Sequence, residues 1–368
     1  MRIVITGGHF SPAFALSQEL IGQGHEVFIA GRKNTFEGDK AYSYEYLVSQ
    51  KFNIPFFEIR TGRLQRKITK QTLSSLFKTP KGFVDAYKML SKTKPDAVVV
   101  FGGYISMPVA LAAYAKKIPV VVHEQTQNAG LANRYIAKLA KKVCITFESS
   151  IKYFPSQKVV VTGNPIRKEI FEGHKKMELP QGPVVYVTGG SSGSHFINTL
   201  MKKVLVELLK DYVVVHQTGN SKIYDDFNNL NLEREKLPNE LKEKYLLLEF
   251  VDPEEIGFLL RQSSLVISRS GINTILELLA LRKVSLLIPF PYGQHEEQLE
   301  NARLVKEVGL GEYLKQEEAE PNVFLEKVKF LIENKDVMVK NAKIPKVFTP
   351  HASANIINVL MSLSKPRD

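Results

Sequence analysis

Residues 3–8 read Ile-Val-Ile-Thr-Gly-Gly, and residues 185–190 read Val-Tyr-Val-Thr-Gly-Gly. Each copy is an apolar, β-branched run ending on Thr-Gly-Gly. A short polar stretch follows, then apolar residues at helical spacing over 13–20 and 196–209. Such a run fits a parallel strand buried on both faces. A glycine turn into a helix leaves backbone N–H groups at the helix N-terminus, where they favour an anion. One such unit at the start of each half of a 368-residue chain predicts two domains of one α/β type, which suits the usual roughly 100–200 residues per domain. The function is expected in a cleft between them.

The intervening sequence supports that architecture. Strands are predicted over 2–6, 25–30, 55–59, 97–101, 119–123, 143–146 and 159–162, with helices to 21, from 108 and near 131–140. The second half repeats the alternation, with strands at 184–187, 212–217, 246–250, 265–268 and 285–288. Its helices run to 210, near 254–262 and from 271. Alternating βα units imply parallel sheets covered by helices on both faces, hence two Rossmann-like domains facing across a cleft. Gly163 and Pro165 interrupt regular structure, so the expected division is 1–163, 164–345 and a C-terminal helix in 346–368 packing back on the first domain. Residues 97–115 carry no charge, as a membrane span would. Gly102-Gly103, Ser106 and Pro108 divide that stretch into a buried strand, a turn and a helix start.

Charge is unevenly placed. The chain has a net charge of +12, and residues 1–167 hold 24 Lys/Arg against 10 Asp/Glu. Between Arg60 and Lys94 there are ten basic residues and a single acid, Asp85. The apolar residues interleaved there (Ile68, Leu73, Phe77, Phe83, Val84, Tyr87, Leu90) suit a basic amphipathic surface lying on anionic lipid. A core-facing stripe beneath solvated lysines is the plainer alternative. No nucleic-acid module is recognisable. The single cysteine, Cys144, excludes an internal disulfide and a multi-cysteine metal site. Met1-Arg2 runs straight into a strand, without the regions of a signal peptide.

Chemistry-bearing residues cluster at the predicted turns. In Leu-Val-Ile-Ser-Arg-Ser-Gly-Ile-Asn-Thr-Ile-Leu-Glu (265–277), a strand turns at Ser270-Gly271 into a helix whose N-terminus suits a phosphate, with Arg269 adding charge. Glu277, about a turn and a half into that helix, could hold ribose hydroxyls; a surface Arg–Glu pair is the alternative. Glu297 and Gln298 offer acceptors and donors for sugar hydroxyls. Neither His295 nor His123 has the second histidine of a zinc His-Glu-x-x-His helix, so no metal is expected. Gly189–Gly193 resembles a pyrophosphate cradle but lacks the Lys-Ser/Thr of a P-loop. Arg167, after Gly163-Asn164-Pro165, could meet a diphosphate. His9, after the first Thr-Gly-Gly, could act as a general base. No Gly-x-Ser-x-Gly elbow supports a serine hydrolase.

Together these segments resemble the GT-B glycosyltransferases of family 28, the lipid-linked muramoyl-pentapeptide N-acetylglucosaminyltransferases of peptidoglycan synthesis. The resemblance rests on Thr6-Gly7-Gly8-His9, Gly102-Gly103-Tyr104-Ile105-Ser106, His123-Glu124-Gln125 with Ala129-Gly130-Leu131, Gly163-Asn164-Pro165-Ile166-Arg167, Gly189–Gly193 and Arg269-Ser270-Gly271, in family order. It implies inverting transfer of N-acetylglucosamine from UDP-N-acetylglucosamine to the C4 hydroxyl of an undecaprenyl-diphosphate-linked acceptor. The enzyme would sit peripherally on the anionic, cytoplasmic face of the inner membrane, with no tightly bound cofactor and a divalent cation as a stimulant at most. Ser191, Arg167 and the helix start at Ser270, Gly271, Ile272, Asn273 and Thr274 would hold the UDP diphosphate. Val251 would meet the uracil with its backbone, Glu277 the ribose, and Glu297 or Gln298 the sugar. Thr6, Gly7 and Gly8 would line the diphosphate side of the first loop, and His9 and Glu124 would be the acid–base pair.

The chain departs from the family pattern in three places. Val4 and Ile5 stand where glycines are usual, Thr126 replaces an asparagine (with Asn128 following on the acceptor side), and the loop 294–297 differs. A related GT-B enzyme with another lipid acceptor, a UDP-N-acetylglucosamine 2-epimerase and a UDP-sugar-binding pseudoenzyme are the alternatives.

Overall fold

The computed structural model describes residues 1–34, 42–62, 70–172, 177–190, 193–219, 223–292, 296–345 and 351–363. The chain divides into two compact units, Met1–Arg167 with Val347–Asp368, and Lys168–Lys346.

The first unit runs β1 (Arg2–Thr6), α1 (Phe10–Gly22), β2 (Glu26–Gly31), α2 (Tyr44–Lys51), β3 (Phe56–Glu58), α3 (Lys70–Thr93), β4 (Ala97–Val100), α4 (Gly103–Ala115), β5 (Val120–Glu124), α5 (Leu131–Leu139), β6 (Lys142–Ile145) and β7 (Val159–Val161). Its strands form one parallel sheet in the order β3-β2-β1-β4-β5-β6-β7. β1, β4 and β5 are valine- and isoleucine-rich and buried at almost every position, because helices cover both faces. Val4, Val98, Val100 and Val122 pack with α4 and α5 on one face, and Ile3, Ile5, Val99 and Val121 pack with α1 on the other.

The second unit contains α6 (Lys168–Glu172), β8 (Val184–Thr188), α7 (His195–Asp211), β9 (Val213–Gln217), α8 (Asp226–Glu235), α9 (Asn239–Lys242), β10 (Tyr245–Leu248), α10 (Pro253–Gln262), β11 (Ser263–Ser268), α11 (Ile272–Ala280), β12 (Ser285–Leu287), α12 (Glu297–Val308), β13 (Gly311–Tyr313) and α13 (Pro321–Asn341). Its parallel sheet has the order β10-β9-β8-β11-β12-β13. The last helix, α14 (Ala352–Leu363), returns to the first unit. Ile356, Ile357 and Leu360 join the α1 face there, and Asn355 Nδ2 donates to the Thr162 carbonyl at 3.1 Å.

The stretch 97–115 is a strand and a buried helix, and among the described residues no helix is long and apolar enough to cross a membrane. Its helix begins at Gly103 rather than at the expected Pro108. Pro108 deprives the Tyr104 carbonyl of its usual donor. Burial of Ile105, Val109, Ala110, Ala112 and Ala113 holds the helix across that gap.

Candidate active site

In an open parallel sheet, ligands bind outside the carboxyl ends of the strands where strand order reverses. In the first unit that point lies between β1 and β4, where the first Thr-Gly-Gly meets the turn at 101–103. A β-carbon on Gly8 would fall 1.8 Å from the Gly102 carbonyl oxygen, so the two turns touch backbone to backbone. Gly102 and Gly103 both adopt positive φ, 78° and 74°, which only glycine tolerates readily.

Beneath the turns, the hydroxyls form a directed chain. Phe101 N–H donates to Thr6 Oγ1 at 3.2 Å, Thr6 Oγ1 lies 2.8 Å from Ser106 Oγ, and Ser106 donates onward to the Gly102 carbonyl. Thr6 is therefore fully buried and internally satisfied, and Gly7 N–H is spent on the Ala30 carbonyl at 3.0 Å. The Thr6 hydroxyl and the Gly7 N–H are thus engaged within the first unit. The exposed members of the loop are Gly8 and His9.

His9 stands at the N-cap position of α1 without using its side chain as a cap. The residue is exposed overall, but its ring edge lies against the Gly102 turn; desolvation by the surrounding protein lowers its pKa below the ordinary 6.5, while the nearby Glu124 carboxylate opposes that shift.

Glu124 is placed differently from expectation. It is buried at the end of β5, and four donors saturate its carboxylate. Oε1 accepts from Thr126 N (3.0 Å) and Thr126 Oγ1 (2.7 Å), and Oε2 from Gly130 N (2.9 Å) and Asn133 Nδ2 (3.0 Å). Four donors fill the lone-pair positions of this carboxylate, which leaves none free for a substrate hydroxyl. It instead fixes the loop 125–130 and the start of α5, whose N-cap is Gly130. Thr126 thus serves Glu124 directly, and Asn128 Oδ1 accepts from Tyr153 Oη at 3.0 Å. Asn133, absent from the motif reading, holds both the His123 carbonyl and Glu124, while its own Oδ1 is buried without a hydrogen-bond partner among the described residues. His123, buried against Phe101 and held at a pKa of about 4 by desolvation, is neutral and donates from Nε2 to the Gly163 carbonyl at 3.0 Å.

In the second unit the order reverses between β8 and β11, which brings the second Thr-Gly-Gly beside Arg269-Ser270-Gly271. Gly190 has φ 84° and its N–H donates to Thr188 Oγ1 at 3.0 Å. A β-carbon on Gly193 would lie 1.9 Å from the Thr218 carbonyl oxygen. Ser191 lies outside the described residues. Across the reversal point, Gly271 caps α11, and a β-carbon there would meet no described residue within 4 Å. The first intrahelical bond is made by Ile275 N, to the Gly271 carbonyl at 3.1 Å. The amides of Ile272, Asn273 and Thr274 precede it and form the helix's anion-attracting end. Asn273 Oδ1 is buried there without a hydrogen-bond partner among the described residues.

Ser270 does not point at this space. It is fully buried, donating to the Gln298 carbonyl at 2.7 Å and accepting Asn301 Nδ2 on its own carbonyl at 3.0 Å. Its hydroxyl here braces the loop against α12. Arg269 Nη1 donates to the Ile288 (3.0 Å) and Pro289 (3.2 Å) carbonyls, and the guanidinium lies near the Phe196 and Phe290 rings. Burial alone lowers its pKa to about 10, so it remains a cation at neutral pH. Gln298 Oε1 accepts Phe290 N at 3.0 Å. Glu297 opens α12, Glu277 sits within α11, and Val251 is buried after β10. Arg167 directly precedes α6.

Residues 4–145 match the family model "Glycosyltransferase family 28 N-terminal domain", and residues 184–356 match "Glycosyltransferase family 28 C-terminal domain". The chain belongs to glycosyltransferase family 28. It is 34% identical to a Clostridium perfringens protein named UDP-N-acetylglucosamine--N-acetylmuramyl-(pentapeptide) pyrophosphoryl-undecaprenol N-acetylglucosamine transferase, over 98% of this chain and 97% of that one. The crystal structure of Acinetobacter baumannii MurG shares its fold, with a TM-score of 0.69 at 24% identity, covering 98% of this chain and all of that one. The UDP-GlcNAc 2-epimerase of Neisseria meningitidis shares the fold too, with a TM-score of 0.65 at 18% identity over 98% of this chain and all of that one. Fold alone therefore does not separate transferase from epimerase, whereas family 28 membership does. Each family 28 domain of this chain contains one of the two strand-order reversals.

Proposed function

We propose that this protein transfers N-acetylglucosamine from UDP-N-acetylglucosamine to the C4 hydroxyl of undecaprenyl-pyrophosphoryl-N-acetylmuramoyl-pentapeptide, with inversion. The observation that carries the reading is the open N-terminus of α11 beyond Gly271, with Glu277 on the same helix. That arrangement suits a nucleoside diphosphate, with its phosphates at the helix end and its ribose on the carboxylate. The activity in the name of the relative matched along 98% of the chain agrees with it.

On this reading, the second unit takes the donor. The amides of Ile272, Asn273 and Thr274, with Arg167 and Ser191, stabilise charge on the departing UDP. The Val251 backbone meets the uracil, and Glu297 and the Gln298 amide meet the sugar hydroxyls. The first unit takes the acceptor through Gly8 and His9. His9, neutral at pH 7, accepts the proton of the attacking hydroxyl, and Glu124 acts as a positioning residue that shapes the loop carrying Thr126 and Asn128. A single in-line displacement inverts the anomeric centre without a covalent intermediate.

The partner surface proposed is the anionic cytoplasmic face of the inner membrane, rather than nucleic acid. Val84 and Tyr87 of α3 and Leu111 and Tyr114 of α4 are exposed together with Lys81, Lys88 and Lys117, and Lys116 Nζ lies 4.0 Å from the centre of the Tyr87 ring. Apolar side chains among lysines suit peripheral binding to anionic lipid. The test is UDP release from UDP-N-acetylglucosamine with a short-chain lipid I analogue. Release only with a different acceptor would overturn the acceptor assignment, and tight UDP binding without turnover on any acceptor would make the protein a pseudoenzyme.

A further inference from the structure

The loop that follows β12 is pinned on both of its stems to the turn before α11. On the entering side, Ile288 N–H donates to the Ser268 carbonyl at 2.8 Å. Arg269 Nη1 reaches the carbonyls of the buried Ile288 and Pro289 at 3.0 and 3.2 Å. On the leaving side, Ser270 Oγ donates to the Gln298 carbonyl at 2.7 Å, and Asn301 Nδ2 donates to the Ser270 carbonyl at 3.0 Å. A cross-brace joins the two stems, with Phe290 N–H donating to Gln298 Oε1 at 3.0 Å. That bond fixes the Gln298 amide, because a flipped group would set its N–H₂ against the Phe290 N–H. Nε2 is the end left for a ligand. The Arg269 guanidinium carbon lies 5.9 Å from the Phe196 ring centre and 5.5 Å from that of Phe290, so one ring from α7 and one from the loop flank it.

We propose that Arg269 is a positioning residue that sets the choice between epimeric N-acetylhexosamines, by holding the Gln298 amide in place relative to the first amides of α11. This rests on reading the second unit as the UDP-sugar side. The chain of contacts is short: the guanidinium grips the entering stem, the stem places Phe290 N–H, and that N–H orients Gln298. Releasing the stem displaces the Gln298 amide but leaves the α11 amides where Gly271 starts the helix. Affinity for UDP therefore belongs to the turn, and sugar choice to the clamp. N-acetylglucosamine and N-acetylgalactosamine differ only in the direction of one hydroxyl. Telling them apart demands hydrogen-bonding groups held closely in place.

The test uses the full chain, with UDP titrated calorimetrically. Initial rates are measured with UDP-N-acetylglucosamine and UDP-N-acetylgalactosamine on a short-chain lipid I analogue. Arg269→Gln removes the charge, and Arg269→Lys keeps it without the planar fork. Both are expected to leave the Kd for UDP within about twofold and to raise the KM for UDP-N-acetylglucosamine about tenfold. Both should also narrow the kcat/KM ratio between the two sugars about tenfold. Gln298→Ala should narrow that ratio equally. Adding Arg269→Lys to it should narrow the ratio no further, a coupling that general loss of structure does not give. Weaker UDP binding in Arg269→Gln, restored in Arg269→Lys, would make the residue a diphosphate ligand and overturn the proposal. An unchanged sugar ratio in the Arg269 variants, additive losses in the double variant, or equal use of both sugars by the wild type would overturn it too. Should the Arg269 variants not fold, Ser270→Ala, which frees the leaving stem from the same turn, decides on UDP affinity and sugar ratio. Failure of the wild-type protein to bind UDP would instead remove the donor reading, and this inference with it.

Discussion

Asn133 Nδ2 donates to Glu124 Oε2 at 3.0 Å and to the His123 carbonyl at 3.1 Å, tying α5 to the end of β5. Its partner carboxylate is filled on both oxygens, so Glu124→Gln would set an N–H₂ group against donors from Gly130 and Asn133. The loss expected is ~2 kcal/mol of stability, since a buried charge network is being broken, together with a lower kcat. The pH–rate profile is the discriminating measurement. The Glu124 carboxylate raises the His9 pKa, so its removal should move the acid limb to lower pH. Disappearance of the limb would make Glu124 the base after all.

His9→Ala should lower kcat by about 10²–10⁴-fold while leaving the donor KM nearly unchanged. A general base must be neutral, and desolvation depresses this ring's pKa below 6.5. The acid limb of the wild-type rate should therefore have its midpoint below pH 6.5, as His9 becomes protonated. Persistence of the same limb in His9→Ala would assign it to another group.

Much of the site was legible because it is local in sequence. Glycine turns, a helix start and an acid further along one helix are patterns within about a dozen residues, and both strand-order reversals fall on such motifs. What escaped was the direction of side chains. Thr6 and Ser270 have the hydroxyls a phosphate site wants, but their partners lie 100 and 28 positions away in the chain, at Ser106 and the Gln298 carbonyl. Glu124 reads as an acid–base residue until its four donors are seen. Asn133 carries no motif, and only the tertiary structure brings His123 and Glu124 to its amide. Short elements such as α2, β13 and α9 are too brief for periodicity to show, and the longer α13 is not among the expected helices either.

Replacing Tyr87 and Tyr114 by serine should weaken binding to vesicles containing phosphatidylglycerol more than binding to neutral vesicles in absolute terms, while turnover of a water-soluble acceptor analogue stays at the wild-type level. Each lysine at an anionic surface contributes about 1 kcal/mol at low salt, so Lys81→Gln with Lys88→Gln should cost roughly tenfold or more in vesicle affinity. Cosedimentation at two ionic strengths checks both. Equal binding by wild type and variants would remove α3 and α4 as the membrane face.

Burial of the neutral His216 makes the core of the second unit acid-labile. His216 is held at a pKa of about 3 by desolvation, against an ordinary 6.5 in the unfolded chain. Between those values the unfolded state binds a proton that the folded state refuses, so the stabilisation is complete above pH 6.5 and is lost progressively as the pH falls toward 3. By pH 5 this residue alone should cost about 2 kcal/mol relative to pH 7. His216→Gln cannot take up a proton there. It should be less stable than wild type at pH 7, because Asn198 and Tyr245 lose well-matched partners, yet it should lose less on acidification. Urea unfolding followed by far-UV circular dichroism at pH 7, 6 and 5 measures both effects, and parallel pH slopes for the two proteins would show that His216 is protonated in the folded state.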